Sequence, residues 1–156
     1  MNTEDTVKVY SPTLEETELE IPGLILNFAK EIKCPILPKV RDIRESIRNL
    51  WPLYITIFAR RGSCVIGGMQ SLVCPHVWNR GVMSSQELFF WVEDKFRGGS
   101  AAARILKLHE KKLENYNVRL RSLSILKESS HGVSRAYNRI GYQESERIFT
   151  KWIDQQ

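Results

Sequence analysis

The chain has 156 residues, enough for one compact α/β domain with a real core and too few for two comfortable ones. Hydrophobic residues make up 42% and charged residues 26%, and no apolar run approaches the ~20 residues of a membrane span, so a membrane-spanning or low-complexity protein is excluded. The N-terminus, Met-Asn-Thr-Glu-Asp-Thr, is polar and acidic rather than basic and then apolar. It reads as no secretory signal, and the expected location is the cytoplasm, or the host cytoplasm if the gene is viral.

The formal charge of +5 suits anionic partners such as a nucleotide cofactor, an acidic protein or RNA, and equally serves solubility. Cys34, Cys64 and Cys74 are far apart, odd in number and without C-x-x-C spacing, so they are expected reduced. His76, His109 and His131 are equally scattered, and no metal site is read.

In chain order, 7–10 alternates like a short strand ended by Ser11-Pro12. Leu24, Ile25, Phe28 and Ile32 recur at helical spacing until Cys34-Pro35. Val40, Ile43, Ile47 and Leu50 form a second helical stripe, with Arg41, Arg44 and Arg48 turned outward. Residues 54–59 are β-branched and aromatic, 60–63 read as a hairpin turn, and 64–72 return as a strand. A loop holding Pro75 and Gly81 precedes 87–92, a strand apolar on both faces and therefore central. Alternation there groups Glu87 with Phe89 and Trp91, and Gln86 with Leu88 and Phe90. A long helix carries Ala102, Leu106, His109 and Leu113 on one stripe. Then follow a strand over 118–126, a short helix over 132–140 stopped by Gly141, and alternation over 147–154. The order β α α β β β α β α β β, without repeats or linkers, predicts a single domain over 1–156.

Chemistry concentrates where the strand ending in Trp91-Val92 meets Arg97-Gly98-Gly99-Ser100-Ala101-Ala102 and a helix. A helix N-terminus leaves successive backbone N–H groups unpaired, and its dipole favours an anion by about 0.3–1 kcal/mol. Glycines admit a phosphate close to the backbone, and Arg97 offers a forked cation. The turn is not a Walker loop, because no Gly-Lys-Ser/Thr follows.

Placed with its neighbours, this segment resembles the [RQ]-x-x-G-x-[GA] acetyl-CoA signature of the GNAT superfamily. Arg135-Ala-Tyr-Asn-Arg-Ile-Gly-Tyr142 resembles the family's late l-Y-e-k-l-G-F segment, and 57–68 its strand–turn–strand ending in v-G-g. Arg-Gly-Gly-Ser and the tryptophan-rich fourth strand are similar to small bacteriophage members. Ser100 stands where the family has glycine, with Ala102 satisfying the last position. Ser130 stands where the family has an asparagine that touches the pantetheine arm. As a helix N-cap, Ser100 is expected to preserve the phosphate-facing amides.

The resemblance implies a GNAT fold, a mixed and mostly antiparallel sheet with helices on both faces. It implies acetyl-CoA as co-substrate, no metal, and an unidentified amine acceptor on a small molecule or protein. Backbone groups of Trp91 and Val92 would pair with the pantetheine, and the amides of Gly98, Gly99, Ser100, Ala101 and Ala102 would hold the pyrophosphate beside Arg97, with Ser130 further on. Tyr137 aligns with the tyrosine that protonates the departing thiolate, and a phenol near pKa 10 suits that task. The general base is Glu87, or a water relay if Gln86 takes that place. Trp51, His76 and Trp78 are expected walls of an acceptor pocket beneath the first two helices. A GNAT-fold binder of acyl-CoA or of a partner protein, a homodimer, and an RNA-linked amine met by Arg41, Arg44 and Arg48 are the other readings.

Overall fold

The computed structural model describes residues 6–125 and 131–145. Two compact units divide it, one reaching Leu123 and one beginning at Ser124.

The first unit holds a five-stranded sheet in the order β1-β2-β3-β4-β5. Its strands are β1 (Lys8–Tyr10), β2 (Tyr54–Arg61), β3 (Cys64–His76), β4 (Asn79–Val92) and β5 (Val118–Ser122). The first four pair antiparallel, and β5 joins β4 in parallel. The stretch predicted as a loop around Pro75 and Gly81 is instead the close of a long hairpin. Both residues lie within strands, and only Val77 and Trp78 turn.

Helix α1 (Leu14–Glu31) starts ten residues before the predicted apolar stripe. Thr13 and Glu16 form a capping box, each side chain bonding the other's backbone N–H. Pro22 lies inside the helix and has no N–H to give the carbonyl of Glu18 four residues back. Arg44 of α2 (Val40–Leu50) supplies the missing donor, its Nε reaching that oxygen at 3.2 Å. Arg48 pairs with the Glu18 carboxylate. Two of the three outward arginines thus tie α2 to α1.

Ile21, Leu24 and Ile47 of these helices pack with Phe58 and Phe89 on one sheet face. The other face is covered by α3 (Ala101–Asn115), which buries Ile105, Leu106 and Leu113. His109 of α3, wholly buried, sits with Nε2 2.8 Å from the Ser71 hydroxyl of β3. Helices therefore cover both faces, as expected.

In the second unit, α4 (His131–Arg139) closes where Gly141 takes a φ of +95° and Tyr142 N–H reaches the Tyr137 carbonyl at 3.1 Å. The alternation predicted for 147–154 lies outside the described residues.

Candidate functional site

The site begins where β4 parts from β5. Their pairing runs from Met83 with Val118 to Gln86 with Ser122 and stops there, so 87–92 has a sheet neighbour only on the β3 side among the described residues. A β-bulge marks the same point: Gln70 pairs with Phe89 and Ser71 with Glu87, leaving Leu88 as an extra residue.

The bulge overturns the alternation read from the sequence. Phe89 shares the face of Gln70, toward α1 and α2, whereas Glu87 shares that of Ser71, whose hydroxyl meets α3. Glu87 is thus not on the face of Phe89 and Trp91. Gln86, in register with Leu72 and through it with Tyr54, takes the α1–α2 side. An added residue in one strand leaves no mark in hydrophobic periodicity.

Register also decides which backbone groups are open. Glu93 N–H donates to the Ile66 carbonyl at 2.8 Å, so by alternation the backbone of Trp91 faces β3 and that of Phe90 and Val92 faces the side β5 has left. Of the expected pair, the backbone of Val92 faces the open side and that of Trp91 faces β3. Beside Val92, the other backbone facing that side is Phe90, which the sequence analysis did not single out. The Val92 carbonyl already accepts from Arg97 Nε at 2.7 Å, and its N–H remains.

The turn that follows is built from a 3-10 turn, Asp94–Phe96, and Gly98 at φ +82°, a conformation that favours glycine. Ser100 occupies the N-cap position of α3 in a helical conformation, and its side chain makes no capping bond, contrary to expectation. The first intrahelical bond runs from Arg104 N–H to the Ser100 carbonyl at 3.0 Å. The N–H groups of Ala101, Ala102 and Ala103 are therefore left without acceptors inside the helix. A recess of about 200 Å³ opens beside Gly99, Ser100 and Ala101.

Arg97 lines that recess and is at the same time held by neighbouring groups. It donates to the Val92 carbonyl and to Glu31 at the end of α1, with Asp94 at 3.5 Å. Trp91 Nε1 meets the same Glu31 carboxylate at 2.8 Å. The Arg97 hydrogen bond holds the Glu31 carboxyl below its usual range, against partial burial and helped by Trp91. This clamp fastens α1 to the turn. Its cause is the placement of Glu31, which no local motif announces.

On the α1–α2 side lies a cavity of about 520 Å³. It is walled by Ile25, Ile43, Ile47 and Leu88, with Tyr54 and Gln70 of β2 and β3. The predicted wall residues are elsewhere. Trp51 packs against the core, while Trp78, 91% exposed at the hairpin tip, stacks edge-on with His76. Tyr137, the other expected residue, lies in the second unit. There it is buried, its hydroxyl 3.5 Å from the Ser124 carbonyl and its ring 6.0 Å from that of Tyr142. Ser130 lies outside the described residues. Among the described residues no cluster of three His, Cys, Asp or Glu could hold a metal ion, and no helix is long and apolar enough to cross a membrane.

A strand split from its parallel neighbour, running into an uncapped helix, defines the class of fold, and comparison with solved structures agrees. No protein-family model matches the chain, and no curated protein matches it. Among solved structures, it is similar to an aminoglycoside acetyltransferase from an uncultured soil metagenomic sample in complex with sisomicin (TM-score 0.75, 10% identity, 96% of this chain and 97% of that one). It is also similar to a predicted acetyltransferase from Clostridium acetobutylicum with acetyl-CoA (TM-score 0.73, 12% identity, 97% and 96%). A ribosomal-protein-alanine N-acetyltransferase from Brucella melitensis biovar Abortus 2308 matches with a TM-score of 0.72 and 15% identity, over 96% and 100%. The fold is that of the GNAT acetyltransferases. At these identities the likeness is one of fold.

Proposed function

We propose that residues 1–156 form a single cytoplasmic acetyltransferase domain, of the small bacteriophage type, that moves an acetyl group from acetyl-CoA to a primary amine. The observation that carries this reading is the open edge of Phe90 and Val92 leading into the uncapped amides of Ala101, Ala102 and Ala103. The pantetheine would extend that edge as an added strand, and the pyrophosphate would meet the helix N-terminus. The glycines at 98 and 99 leave it room: nothing lies within 4 Å of a Cβ built on Gly98, and the nearest atom to one on Gly99 is at 3.5 Å.

The reaction is direct transfer in a ternary complex. The neutral amine attacks the thioester carbonyl, the C–N bond forms, and the C–S bond breaks. The Val92 N–H would steady the oxyanion, and Tyr137 would return a proton to the departing thiolate. The ammonium form of the acceptor must first lose a proton. Because Gln86 rather than Glu87 takes the α1–α2 side, a water relay beside Gln86 is the reading the register supports.

Tyr137→Phe is expected to lower kcat at least tenfold while leaving the Kd for acetyl-CoA unchanged, read by free-thiol release over a panel of amines and by calorimetry. Unchanged turnover would remove Tyr137 from the chemistry. A binder of acyl-CoA that has lost catalysis is favoured by one observation, the register that puts Gln86 rather than Glu87 on the α1–α2 side and so removes the candidate side-chain base from it. Tight acetyl-CoA binding with no acetylated amine would establish it. The RNA-linked acceptor has less support, since Arg44 and Arg48 are engaged with Glu18.

A further inference from the structure

We infer that the acceptor amine is carried on an apolar, uncharged body seated in the 520 Å³ cavity, with its N–H held by the side-chain oxygen of Gln70. The assignment of this amine as the acetyl acceptor rests on the transferase reading above; the cavity's preference rests on its own walls.

Those walls are aliphatic. Ile25, Ile43 and Ile47 line the depth, and Leu88 stands at the β4 end. At the mouth, Ile36 and Leu37 are 57% and 74% exposed, an apolar rim that an apolar ligand would cover. The only ionisable carboxylate and ammonium among the described lining residues are Asp42 and Lys39, and they cancel. Asp42 is further engaged by Arg41, whose Nε lies 3.2 Å away. A polycationic acceptor needs several carboxylates to replace its hydration, and this cavity has none to spare. Its volume is that of a small-molecule site.

Polar groups in the depth are few and mostly satisfied. Ser46 Oγ and Tyr54 Oη bond each other at 2.8 Å. Gln70, only 3% exposed, donates Nε2 to Thr56 Oγ1 at 3.0 Å, which fixes its amide plane. Its Oε1 receives no hydrogen bond among the described residues and is left as an acceptor of fixed direction. Gln70 is in register with Phe89, beside the bulged Leu88, where β4 leaves β5. An N–H bound there lies one strand from the open edge of β4, and the apolar body would extend toward Ile36 and Leu37.

The test uses the full chain with 2-phenylethylamine and spermidine as probes, measuring binding by calorimetry and acetylation by mass spectrometry with acetyl-CoA present. The expected result is binding and acetylation of 2-phenylethylamine, with kcat/KM for spermidine at least tenfold lower. Leu37→Asp, at an exposed rim position, should weaken 2-phenylethylamine at least fivefold without disturbing the fold, and Gln70→Leu should lower its kcat/KM. Preference for spermidine, no binding of 2-phenylethylamine, or binding that Leu37→Asp leaves unchanged would each overturn the inference. Acetylation of spermidine alone would do so while leaving the transferase reading intact. Binding of 2-phenylethylamine that is sensitive to Leu37→Asp but gives no acetylated product would uphold the cavity's preference and overturn the transferase reading.

Discussion

Between pH 6.5 and pH 4 the protein is expected to lose about 3 kcal/mol of folding stability through one side chain, His109. Burial disfavours its charged form and pushes its pKa down from 6.5 to about 4; Glu110 opposes this and Arg121 adds to it. The ring has no exposure, its Nε2 is engaged with Ser71, and its Nδ1 is buried with no hydrogen-bond partner among the described residues and the Glu110 carboxylate 4.0 Å away. In the unfolded chain the imidazole takes a proton near pH 6.5, whereas in the fold it does so only near pH 4. The unfolded state therefore binds more protons across that window, and stability rises with pH through it. The contribution is complete above the unfolded value and gone below the folded one. Urea unfolding at pH 7 and pH 5 should show the wild type losing roughly 2 kcal/mol more than His109→Gln, whose side chain does not titrate. Parallel losses in the two proteins would mean that His109 is not held neutral by its surroundings.

A single methyl group at Gly67 is expected to cost about 1–3 kcal/mol of stability and to weaken acetyl-CoA binding as well. A Cβ there would stand 2.7 Å from the Trp91 carbonyl oxygen and 3.0 Å from the Val92 Cα, so the backbone of β4 must move. The displaced residues belong to the strand whose open edge is proposed to meet the pantetheine. Gly68 is equally crowded, but by the Ile57 carbonyl and the side chains of Leu24 and Phe58, which are core groups away from that edge. Gly67→Ala and Gly68→Ala should thus be alike in lost stability and differ in acetyl-CoA affinity, compared by calorimetry below their unfolding temperatures. Equal affinities would indicate that the β4 edge does not carry the ligand.

Both glycines fall in the segment whose resemblance to v-G-g was visible in the sequence, and much of the fold was legible in the same way. The Val40–Leu50 stripe appears as a helix with those limits, because its apolar residues fall at intervals of three and four with no breaker inside. The apolar stripe of α1 is legible only from Leu24 onward, well inside the helix. Its true start depends on the Thr13–Glu16 box, and its passage through Pro22 on Arg44, 22 positions away. The turn at 97–102 and the helix start after it were readable because glycine and a helix start act locally. What the turn does with Arg97 was not, since Glu31 reaches it from a different element. The bulge at Leu88 is the clearest loss. It reassigns Glu87 and depends on how two strands register rather than on either strand alone.

The proposed function requires acetyl-CoA to bind along the β4 edge and on the amides that open α3. Thermal unfolding titrated with acetyl-CoA, for the wild type and Gly99→Glu, tests it most directly. A Cβ at Gly99 meets nothing closer than the Phe96 carbonyl at 3.5 Å, so the variant should fold while placing a carboxylate where the pyrophosphate belongs. At about a hundred times its Kd the ligand should stabilise the wild type by roughly 2.7 kcal/mol, a rise of several degrees in Tm. That rise is expected in the wild type and is expected to be lost in Gly99→Glu. No rise in the wild type, or an equal rise in both, would contradict the proposed function.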